Sequence, residues 1–70
     1  MISNTELGRA MMFEAGNRAN DKECNDWARV GNLINSIGTS KGPKNINLLS
    51  AADKAIVQTA FSALREMGRI

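Results

Sequence analysis

The chain has 70 residues, one cysteine, no histidine, no tyrosine and a formal charge of +2. That length leaves room for one compact unit, and a lone thiol without histidine excludes an internal disulfide and a Cys/His zinc site; self-association is the remaining reinforcement for a small core. The mild positive charge declares no nucleic-acid arm and no apolar run could span a bilayer, while one cysteine without a leader pattern gives the expectation of a reducing, cytoplasmic setting.

The first helix is expected near 4–15. Ser3 can cap it, with Glu6 three residues on complementing the positive helix end, and Gly16 offers a left-handed stop. Leu7, Ala10, Met11 and Ala15 share one face, whereas Met12 and Phe13 point away from it and must be covered by something else or remain exposed. A tight connection, Asn17 to Asn20, leads to the second helix near 21–37, begun by Asn20 with Glu23 and ended by Gly38. Cys24, Trp27, Val30 with Gly31, Ile34 and Ile37 recur at spacings of three and four and make an apolar stripe.

Next comes Thr39-Ser40-Lys41-Gly42-Pro43-Lys44-Asn45, the one stretch rich in turn formers and the only one with proline. It is long enough to reverse the chain into an antiparallel hairpin with a positively charged tip. The third helix, near 51–67, starts at Ser50 with Asp53 and stops at Gly68. Leu49, Ala52, Ile56, Val57, Ala60, Phe61, Leu64 and Met67 form its broad apolar face, with Lys54, Gln58, Arg65 and Glu66 off it or at its edge. The expected fold is therefore all-α: one three-helix domain, residues 1–70, in which helices 2 and 3 make an antiparallel hairpin beside a shorter N-terminal helix.

Few residues suit catalysis, which usually draws on histidine, paired carboxylates or an activated thiol. Cys24 lies on an apolar stripe, where a small core residue is the simpler reading. Asp21, Glu23 and Asp26 cluster at a helix start, which they stabilise, and their spacing matches no calcium loop. The segment from Gly38 to Lys44 has the glycines and lysines of a phosphate loop but lacks the Gly-Lys-Ser/Thr ending and a preceding strand; Lys41 and Lys44 could hold a phosphate or be merely solvated. Arg18, Lys22 and Arg29 could face a nucleic-acid backbone, but the neighbouring acids would oppose it.

The third helix contains Val57-Gln58-Thr59-Ala60-Phe61-Ser62-Ala63-Leu64. This resembles the second hairpin helix of the small phage proteins that sequester cyclic-nucleotide signals of bacterial immunity, the anti-CBASS sponges and the related anti-Thoeris hairpin domain. Val57, Gln58, Phe61, Ala63 and Leu64 fit that pattern; Ala60 stands where it has glycine, and Leu48 and Leu49 where it has aromatic residues. The resemblance spans eight residues and implies a helical oligomer that binds cyclic nucleotides between subunits.

The residues thus point first to a non-enzymatic, cofactor-free helical inhibitor of phage or mobile-element type that docks on a host protein and is itself homo-oligomeric. A cyclic-nucleotide sponge is the second expectation and a nucleic-acid-binding regulator the third. Exposed residues without a structural duty are the partner-binding candidates: Met12, Phe13, Arg18, Lys22, Arg29, Lys41 and Lys44. No catalytic or metal-binding residue is expected.

Overall fold

A computed structural model describes residues 2–37 and 45–70. Within them the chain forms α1 (Asn4–Ala15), α2 (Asp21–Asn35), a 3₁₀ turn (Ile46–Leu48) and α3 (Ala51–Glu66), with no strand among the described residues. The helix starts lie where the capping pattern puts them. Ser3 Oγ accepts from the Glu6 N–H at 3.1 Å, Asn20 Oδ1 from the Glu23 N–H at 2.8 Å, and Ser50 Oγ from the Asp53 N–H at 3.1 Å. Each satisfies a backbone donor that the first turn leaves open, a contribution of roughly 1 kcal/mol per cap.

The stops are less uniform. Gly68 has φ +74, and the turn it makes lets its own N–H reach Arg65 O at 3.1 Å and the Arg69 N–H reach Leu64 O at 2.9 Å. This paired closure uses a conformation that glycine adopts without steric cost. Gly16 instead stays right-handed, at φ −65 and ψ −15, so α1 ends without the left-handed residue expected there. α2 ends at Asn35 rather than Ile37: the Ser36 N–H donates to Asn32 O and Leu33 O, and its hydroxyl also donates to Asn32 O at 2.9 Å. Gly38 and the loop 39–44 lie outside the described residues.

α2 and α3 meet with opposite chain sense: Arg29 reaches Asp53 at the start of α3, while Asn20 and Glu23 face Thr59 across a shallow depression. The closest helix pair, however, is α1 with α2. A Cβ built on Gly8 would lie 2.5 Å from Gly31 O and 2.8 Å from Asn35 N, and one built on Gly31 would lie 2.9 Å from Gly8 O. Backbone touches backbone there, so neither position has room for any side chain. This crossing is the feature that periodicity did not disclose, because glycine inside a helix reads locally only as a weak helix former.

Around it the core closes on Met11, Trp27, Val30, Ile34 and Leu64, all fully buried, with Leu7, Ala15, Leu49, Val57 and Ala60 completing the cluster. Phe61, Ile56 and Cys24 pack against its edge, while Ala52 and Met67 are exposed; the apolar face of α3 is narrower than its sequence suggests. One charged residue joins the core: Glu14 is only 4 % exposed, and its Oε1 lies 3.2 Å from Arg69 Nε on the turn after α3, an ion pair without hydrogen-bond alignment. No helix among the described residues is long and apolar enough to cross a membrane.

Candidate partner-binding groove

The residues singled out in the sequence do not share one surface. Phe13 is 82 % exposed on α1, as its position off the apolar face required. Met12 is half-buried, and its Cγ would be 3.1 Å from a Cβ on Gly31, so it covers the flank of the helix crossing. Lys41 and Lys44 lie outside the described residues.

The three remaining cations carry structural duties that a one-dimensional reading could not assign. Arg18 lies over the Trp27 ring, 4.4 Å from its centroid, and pairs through Nε with Glu23 at 2.8 Å. Lys22 donates to Asp26 Oδ2 at 2.8 Å, an i,i+4 pair along α2. Arg29 grips Asp53 with both terminal nitrogens, at 2.9 and 3.2 Å, and ties α2 to α3. The hydrogen bond from Arg29 is the main reason that the Asp53 carboxyl is held below its ordinary value, with the Arg29 charge and the Ser50 hydroxyl acting in the same direction against burial; the same bond raises Arg29. Two of the three acids at the start of α2, Glu23 and Asp26, are accordingly ion-pair partners. Among the described residues, no three acidic, cysteine or histidine side chains gather as a metal site would require.

A different feature is open. Between the start of α1, the 3₁₀ turn and α3 runs a groove of about 580 Å³, lined by Ile2, Leu7, Ile46, Val57 and Phe61, with Asn4, Gln58, Ser62 and Arg65 on its rim. A smaller depression bounded by Ile2, Phe61, Arg65 and Ile70 shares three of those residues and extends it past Phe61. The groove runs along the side of α3 next to the core: Ala60 and Leu64 are fully buried, Val57 is buried in the same cluster, and Phe61 is half-buried at its edge. Ile2 and Ile46 come from segments flanking the helices, which is why helical periodicity did not reveal the site.

The guanidinium of Arg65 stands 5.8 Å from the Phe61 ring centroid, within the range of cation–π attraction. Its surroundings can bind: an apolar trough with amide, hydroxyl and guanidinium groups along the lip is suited to an apolar body with polar edges. No protein-family model, curated protein or solved structure matches this chain.

Proposed function

We propose that this chain is a non-enzymatic binding protein that docks its α1–α3 groove on a protein partner and thereby inhibits a host defence or regulatory factor, as proteins of phages and mobile elements do. The observation that carries this reading is the groove itself. Ile2, Ile46 and Phe61, each half-buried, line an open trough together with the buried Leu7 and Val57, and contiguous apolar surface of that kind is characteristic of binding sites. The phage and anti-defence part of the reading is supported only by the resemblance of Val57–Leu64.

The test is parallel affinity capture from bacterial lysate with the native chain and with Ser62→Trp, which fills the groove from an exposed position, followed by assay of the captured protein. One bacterial protein should be retained by the native chain, lost with the variant and less active when bound. Identical captures by the two chains would defeat the proposal. Self-association through Phe13 belongs to the same reading: sedimentation at micromolar concentration should show a dimer or larger species that Phe13→Asp dissociates.

A second reading, an oligomeric sponge for cyclic-nucleotide signals, is favoured by one observation: Val57, Gln58 and Phe61 of the resembling segment all line this groove, beside Arg65. A ligand that binds only the folded state raises its melting temperature as it saturates. Cyclic dinucleotides that do so, with loss of the effect in Ser62→Trp, would put the sponge first.

A further inference from the structure

We infer that the α1–α3 groove selects amphipathic segments that carry a carboxylate, their apolar side chains entering the trough and their acid meeting Arg65. This rests on the reading of the groove as a docking surface and specifies what docks there.

The charges of the molecule supply the argument. Arg18, Arg29 and Arg69 are each committed to an acid, to Glu23, Asp53 and Glu14 respectively. Arg9 and Arg65 differ in that, among the described residues, no carboxylate lies within ion-pair distance of either, and of the two only Arg65 lines the groove, as its one charged side chain. The Arg65 guanidinium stands beside the apolar trough, within 5.8 Å of the Phe61 ring centroid, and is a planar five-donor group suited to a carboxylate.

The spacing sets the form of the partner. Val57, Phe61 and Arg65 follow one another at i, i+4 and i+8 on α3, a rise of about 12 Å, or a little over two helical turns. A helical segment laid along them would place apolar anchors on successive turns and an acid one or two turns further on, the usual pattern of helix-in-groove recognition. Gln58 and Ser62, also four apart, give the lip neutral hydrogen-bonding groups that repel neither charge.

A second copy of the chain fits this groove less well. Its most exposed apolar residue, Phe13, shares a helix face with Arg9, four residues earlier and also exposed. Inserting Phe13 would bring Arg9 toward Arg65, a juxtaposition of like charges.

The experiment is selection of displayed random peptides on the immobilised native chain, on Arg65→Glu and on Ser62→Trp, with far-UV circular dichroism confirming that each variant folds. The native chain should enrich peptides with apolar residues at helical spacing and a neighbouring Asp or Glu. Arg65→Glu should reverse the charge preference, with acidic peptides bound roughly tenfold or more weakly, and Ser62→Trp should enrich nothing in common with the native chain. Enrichment without an acid bias, or one unchanged in Arg65→Glu, overturns the inference. So does self-association of the native chain that Ser62→Trp abolishes, because a second copy would then occupy the groove. Selection needs no natural partner, so its failure would leave the capture experiment free to locate docking elsewhere, for example around Phe13.

Discussion

Three glycines, Gly8 inside α1 and Gly16 and Gly68 just after helices, have very different consequences. At Gly8 a methyl group would meet the backbone of α2 within 2.5 to 2.8 Å, and only a shift of whole helices can relieve that. Gly8→Ala should therefore lower stability by about 1–3 kcal/mol, in the range of overpacked cores. Gly16 has nothing within 4 Å of a built Cβ and a right-handed backbone, so Gly16→Ala should raise stability by about 0.4–1 kcal/mol by restricting the unfolded chain. Urea unfolding of the two variants checks both signs. Gly68, at positive φ, was legible as a stop because the demand is local to its own turn. The demand on Gly8 comes from a residue on another helix, and nothing in its neighbours in sequence announces it.

At the scale of helices, the starts could be read because each cap and its donor lie three residues apart. The ion pair that joins α2 to α3 links Arg29 to Asp53 across 24 positions and could not be read that way; Arg29 was accordingly taken for a free surface cation. It has a measurable signature. Asp53 has its carboxyl pKa depressed in the folded protein, so its contribution is fully present above the ordinary value of 3.8 and is lost as pH falls through the lower folded value. Acid unfolding of the native chain should show this component below about pH 4, whereas Asp53→Asn should start less stable at neutral pH and lack it. Equal slopes for the two proteins in that window would remove the pair from the stability of the fold. Glu14 escaped the sequence reading for a related reason, since its Arg69 partner comes from the other end of the domain. Replacing Arg69 with Met should leave that buried oxygen without its cation and cost roughly 1–3 kcal/mol, the range for an orphaned buried polar group; thermal unfolding measures it.

For the molecule as a whole, the core residues Trp27, Val30, Ile34 and Leu64 were evident from helical spacing, because one face of each helix had to be covered. The groove was not, since two of its five apolar lining residues, Ile2 and Ile46, come from outside the α-helices. Trp27→Ala should cost about 3–5 kcal/mol, comparable to the whole stability of so small a domain, and a flat thermal melt would register its unfolding.

The glycine crossing also bears on the order of events during folding. α1 and α2 are joined by five residues, 16–20, and α2 and α3 by fifteen, 36–50, so the first helix pair closes the shorter connection. The helix pair is thus the expected nucleus, formed in the transition state before the third helix packs. Stopped-flow measurements on Gly8→Ala should then show most of the lost stability as slower folding, and those on Asp53→Asn most of it as faster unfolding. On the ribosome the same order would let α1 and α2 find each other while α3 is still being made.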